Sequence, residues 1–61
     1  MQQIIRTEYV GRDQLAIIKD GGAYFICAQS RLCATHYAKL SPPFGDEQTA
    51  QHFFERRLEE N

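Results

Sequence analysis

With 61 residues, 43% hydrophobic and 25% charged, the chain has room for a single domain spanning 1–61 and enough apolar residues to leave the disordered class. Its formal net charge of −1 excludes the strong positive footprint of a protein that grips duplex phosphates by charge alone, and equally the negative one of an acidic nucleic-acid mimic. A chain this short buries only about 60% of its unfolded surface, so marginal stability, supplemented by a disulfide, a metal or self-association, is the expectation.

Residues 3–10, Gln-Ile-Ile-Arg-Thr-Glu-Tyr-Val, mix β-branched and aromatic residues with polar ones and end at the turn-type cluster Gly11-Arg12-Asp13, which predicts a first strand and its exit. Residues 14–19, Gln-Leu-Ala-Ile-Ile-Lys, predict a second strand running into Asp20-Gly21-Gly22, where adjacent glycines supply the positive φ angles of a tight hairpin. Residues 23–28, Ala-Tyr-Phe-Ile-Cys-Ala, read as the third strand. Gln29-Ser30-Arg31 then reads as a short loop, and residues 32–37 as a returning fourth strand.

Ser41-Pro42-Pro43-Phe44-Gly45 continues neither ladder nor helix, because two prolines remove two donors, so the sheet is expected to stop there. Asp46 is a natural N-cap, and Glu47 suits the positive end of the helix dipole. Ala50, Phe53, Phe54 and Leu58 fall on one face of a helix expected over about 47–59. The fold class is therefore α+β, a four-stranded antiparallel meander with one C-terminal helix packed on one face.

Pairing the strands through three-residue loops at 11–13, 20–22 and 29–31 sorts the side chains into two sets. Tyr9, Leu15, Ile17, Phe25, Cys27, Cys33, Thr35 and Tyr37 share one face; Ile4, Ala16, Ile18, Tyr24, Ile26, Ala28, Leu32, Ala34 and His36 share the other. Alanines at 16, 28 and 34 offer shallow ground for a helix bearing Phe53 and Phe54, so the helix is assigned to the second face. Both faces are apolar and one helix covers only one of them, which leaves Tyr9, Leu15, Ile17, Phe25 and Tyr37 as a candidate interaction face.

Thiolate and imidazole are natural zinc ligands, which singles out Cys27, Cys33, His36 and His52. Structural zinc sites usually space cysteines by two to four residues on a knuckle, whereas five residues separate these two across a predicted hairpin, and His36 falls on the face opposite Cys33. No metal is expected. The same hairpin makes Cys27 and Cys33 cross-strand neighbours about 4.5–5.5 Å apart at Cα, within disulfide reach. No Cys-X-X-Cys motif, helix N-terminus or adjacent lysine lowers a thiol pKa, so structural, reduced thiols are the expected state. No nucleotide or catalytic motif stands out, and neither a cofactor nor a small-molecule substrate is expected.

Met1 followed by Gln2, Gln3 and Arg6 leaves no space for a secretory apolar segment, and no run is long enough to span a bilayer, so a complete cytoplasmic protein off the membrane is expected. Two functional classes stay open. The first is a non-enzymatic interaction module, accessory or inhibitory, that self-associates into a homodimer or binds another protein through its aromatic sheet face. The alternative is a nucleic-acid-binding accessory factor that stacks bases on Tyr9, Phe25 and Tyr37, aided by scattered Arg6, Arg12, Lys19, Arg31, Lys39, Arg56 and Arg57. Interleaved Glu8, Asp13, Asp20, Glu55, Glu59 and Glu60 favour the first. In layout alone, strands followed by an aromatic-bearing helix resemble the arm-type DNA-binding domains of phage integrases, which pack a three-stranded sheet on one helix. The dense Lys/Arg decoration of such domains is missing here, and no functional residue carries over.

Overall fold

Four antiparallel strands in the order β1-β2-β3-β4, followed by one helix, form the protein in the computed structural model, which describes residues 2–30 and 37–60. The strands are β1 (Gln2–Val10), β2 (Asp13–Asp20), β3 (Ala23–Ser30) and β4 (Ala38–Lys39), and the helix is α1 (Glu47–Glu59). This is the α+β meander with a C-terminal helix expected from the sequence, and it packs into a slab of 29 × 26 × 16 Å.

Both N-terminal hairpins turn on two residues rather than the three predicted. Gly21 and Gly22 have φ of 62° and 84°, the pair of positive values that a type I′ turn needs to match the right-handed twist of its strands. Asp20 therefore belongs to β2 and pairs with Ala23. The first hairpin needs one positive φ, at Gly11 (61°), so Val10 pairs with Asp13 and Tyr9 with Gln14. A bulge in β1 adds Ile5 as an extra residue between the pairs Ile4–Ile18 and Arg6–Ile17.

Shortening a hairpin loop by one residue exchanges the two faces of everything beyond it, because side chains alternate with a period of two. The predicted face assignment is corrected on that ground. Leu15 and Ile17 join Ile26, Ala50 and Phe54 in the buried cluster beneath α1, packed around by Ile5, Val10, Tyr24, Ala28, Phe44 and Leu58. Ala16 and Ile18 lie instead on the helix-free face with Cys27, Phe25 and Tyr37. The predicted placement of Tyr24, Ile26 and Ala28 beneath the helix holds; that of Ile4, Ala16 and Ile18 does not. The close approach comes from the helix itself, where Ala50 is fully buried.

The predicted fourth strand at 32–37 falls mostly on residues outside those described. Of it, Tyr37 is described and precedes the short β4, which pairs Ala38 with Ala28 and Lys39 with Cys27. Nor does the edge end at the prolines. Leu40 N–H donates to the Ile26 carbonyl at 2.8 Å, Ser41 Oγ accepts from Ile26 N–H at 2.9 Å, and Phe44 exchanges two backbone hydrogen bonds with Tyr24 at 3.0 and 2.8 Å. A hydroxyl oxygen thus takes the place of a ladder carbonyl beside Pro42 and Pro43, which an outer edge tolerates because nothing further asks for their missing N–H groups.

Helix α1 spans the predicted residues. Extended Asp46 (φ −141°, ψ 161°) accepts from Thr49 N–H at 2.7 Å, with Glu47 in the first turn and Arg56 and Arg57 in the last. Ala50, Phe54 and Leu58, four residues apart, face the sheet. Phe53 was expected beside them but is 43% exposed and stacks its ring on Phe44, 5.2 Å between centroids at an interplanar angle of 3°. Arg6 ties β1 to the helix: its guanidinium lies 4.9 Å from the Phe54 ring centroid, donates to Gln51 at 2.8 Å, and pairs with Glu55 at 3.4 Å and Glu8 at 3.5 Å.

The Thr49 hydrogen bond holds the Asp46 carboxyl below its ordinary value of 3.8. A carboxylate with a depressed folded pKa stabilises fully above its unfolded pKa and loses that contribution as pH falls through the folded value. Asp46→Ala is therefore expected to lower the melting temperature at pH 7. Thermal melts across pH 2–7 should show the gap from wild type narrowing below pH 4, whereas a gap independent of pH would show that the charge contributes nothing to the cap.

Candidate interaction surface

The helix-free side of the sheet is built from alternate residues of all four strands. Register places Ile4, Thr7 and Tyr9 of β1, Gln14, Ala16 and Ile18 of β2, Phe25 and Cys27 of β3, and Lys39 of β4 on this side. Its centre is dry: Ala16 is fully buried, Ile18 is 3% exposed and Cys27 2%. Phe25 and Tyr37 pack against that centre. Lys39, opposite Cys27 in register, holds its Nζ 4.1 Å from the Phe25 ring centroid, and Tyr37 Oη donates to Gln14 Oε1 at 3.5 Å.

Three of the five residues singled out from sequence, Tyr9, Phe25 and Tyr37, meet on this face. Leu15 and Ile17 do not, because the two-residue turns send them under α1, where they are 5% and 0% exposed. Ile4, which had been assigned to the covered side, joins the open face instead. The bulge at Ile5 is what brings Ile4 and Tyr9, an odd number of positions apart, to the same side. Nothing in the composition of β1 announces a bulge, so this residue could not have been found by alternation alone.

Exposure is concentrated at the β1 end of the face. Ile4 is 55% and Tyr9 68% exposed, two of the four large hydrophobics so placed among the described residues. The others, Leu40 and Phe53, lie on the far edge and on the helix. Charge is sparse: by register the described strand residues on this side carry Lys39 and Asp20, one of each sign. An apolar, nearly uncharged surface suits another apolar surface better than a phosphate backbone.

Burial pushes the Cys27 thiol up from its ordinary value, an effect partly offset by Lys39, so it is held as the unreactive thiol. The expected neighbour, Cys33, and the candidate ligand His36 lie outside the described residues. His52 sits on the helix surface, edge-on to Phe53 with centroids 5.5 Å apart, away from Cys27 on the opposite side of the sheet. Among the described residues no three of His, Cys, Asp and Glu gather as a metal site, and no helix is long and apolar enough to cross a membrane. The groove between the sheet and the end of α1, lined by Val10, Asp13, Leu15, Ala28, Leu40 and Arg57, holds about 270 Å³. A second depression, lined by Gln2, Gln3, Lys19, Gly21 and Gly22, holds about 420 Å³, so by volume it falls within, and the first just below, the roughly 300–1,000 Å³ of pockets that enclose small ligands. No family model, curated protein or solved structure matches this chain.

Proposed function

We propose that this chain is a non-enzymatic, cytoplasmic protein-interaction module that engages a protein surface with the helix-free side of its sheet. The observation that carries the reading is the exposure of Ile4 and Tyr9 beside half-buried Phe25 and Tyr37, on a side where the described strand residues supply a single cation. A stacking platform for nucleic acid would need cations around its aromatics to track the phosphates, and Lys39 is already engaged with Phe25.

The test is capture from a lysate of cells that make the protein, with three baits of verified fold: wild type, Tyr9→Lys, and Arg56→Glu on the helix surface. Retention by wild type and Arg56→Glu of a protein that Tyr9→Lys loses is the expected result. Equal retention by all three, or capture of nucleic acid released by salt, would overturn the assignment.

A further inference from the structure

We infer that the partner is a second copy of this chain, joined edge to edge through β1 in an antiparallel register centred on Thr7, so that two sheets become one of eight strands. The inference rests on the interaction reading above and deepens it by naming the occupant. The two edges of the sheet differ. Beyond β3 lie, among the described residues, a two-residue strand and then Ser41-Pro42-Pro43, a short, proline-interrupted stretch that templates another strand poorly. The opposite edge is β1, nine residues without proline or glycine, paired among the described strands with β2 alone. Such an edge is a template for a further strand unless its side chains forbid it.

The side chains of β1 select one register. Antiparallel pairing centred on Arg6 sets Arg6 against its own copy, and centring on Glu8 sets Glu8 against its copy; both place like charges directly opposite. Centring on Thr7 sets Arg6 opposite Glu8 of the second copy, and does so twice by symmetry. The bulge then matters. Because Ile5 and Arg6 together occupy one step of the ladder, the next pair outward is Ile4 with Tyr9 of the second copy, on the helix-free side. The two most exposed large hydrophobics of the described chain thus cover one another at both ends of the joint.

The helix does not obstruct this arrangement. It packs mainly on β2 and β3 and reaches β1 through the Arg6 bonds to Gln51 and Glu55, and a two-fold axis perpendicular to the sheet at Thr7 puts both helices on the same side. The helix-free sides merge into one continuous surface. Arg6 keeps its bonds to Gln51, Glu55 and its own Glu8 while its fork meets a third carboxylate, Glu8 of the second copy, so no buried charge is left unpaired.

The experiment combines sedimentation equilibrium with site-specific cross-linking on the full chain. Wild type is expected to dimerise at micromolar concentration. Glu8→Lys, which sets lysine against Arg6 of the second copy at an exposed position, should weaken the dimer at least tenfold while circular dichroism stays unchanged. Under mild oxidation Thr7→Cys should give a covalent dimer on a non-reducing gel, whereas wild type and Gln3→Cys should not, since two-fold symmetry brings only position 7 against itself. A monomer at every concentration overturns the inference; if that monomer still captures another protein in a Tyr9-dependent way, the interaction reading stands without it. A dimer with no preference for position 7, insensitive to Glu8→Lys, also overturns it, in favour of stacking through the helix-free sides.

Discussion

Phe54→Ala is expected to lower the unfolding free energy by about 3–5 kcal/mol, the range for deleting a fully buried aromatic ring. Phe54 has no exposed surface, packs with Leu15, Ile17, Ile26 and Ala50, and carries Arg6 over its ring. Its removal takes away the contact that seats α1 on the sheet and leaves a cavity that a single helix cannot close by shifting without losing Ala50 and Leu58 as well. Domains of this length have a total stability of roughly 3–9 kcal/mol, at about 0.05–0.15 kcal/mol per residue, so the variant should lose a third or more of the whole. Urea unfolding followed by far-ultraviolet circular dichroism measures it. Phe53→Ala is the control: with its ring stacked on Phe44 at the surface, it should move the midpoint far less. Equal effects at 53 and 54 would mean that the helix is rotated from the orientation described.

Ile17→Ala is the second large expected effect, about 2–5 kcal/mol, because Ile17 is fully buried at the centre of the sheet beneath the helix. The informative comparison is with Ile4→Ala, the same chemical deletion at a residue 55% exposed, where a change within about 0.5 kcal/mol is expected of the monomer. Running both over a range of protein concentrations separates folding from any association. The pair tests the turn geometry directly. With three-residue loops Ile17 would lie on the open side and Ile4 under the helix, so reversal of the two effects would restore that arrangement.

Much of the architecture is written locally. The adjacent glycines at 21 and 22 admit positive φ without strain, and both take it. Asp46 followed by Glu47 and by apolar residues at 50, 53, 54 and 58 specifies a cap and a stripe, and α1 runs over the residues so marked, with Phe53 alone of the four turned out to the surface. These readings succeed because each depends on the φ restrictions, donors and period of a few consecutive residues.

Whether each hairpin loop holds two residues or three is a different kind of question, and so is which side of each strand meets the helix. In β2 both parities are apolar, Leu15 and Ile17 against Ala16 and Ile18, so local burial energy does not choose between them. The choice is made when type I′ geometry at Gly21-Gly22 closes the hairpin, when the bulge at Ile5 resets β1, and when Phe54 finds Leu15, Ile17 and Ile26 on one surface. The sequence by itself determined the three long strands, their antiparallel order and the helix with its cap, since those are settled within a few residues. Only the tertiary structure decided that Leu15 and Ile17 lie beneath the helix and that Ile4 joins Tyr9 on the open side. A strand whose two parities are both apolar, and in β2 both buried, meets the helix with one of them only once the turns and the bulge have set the register.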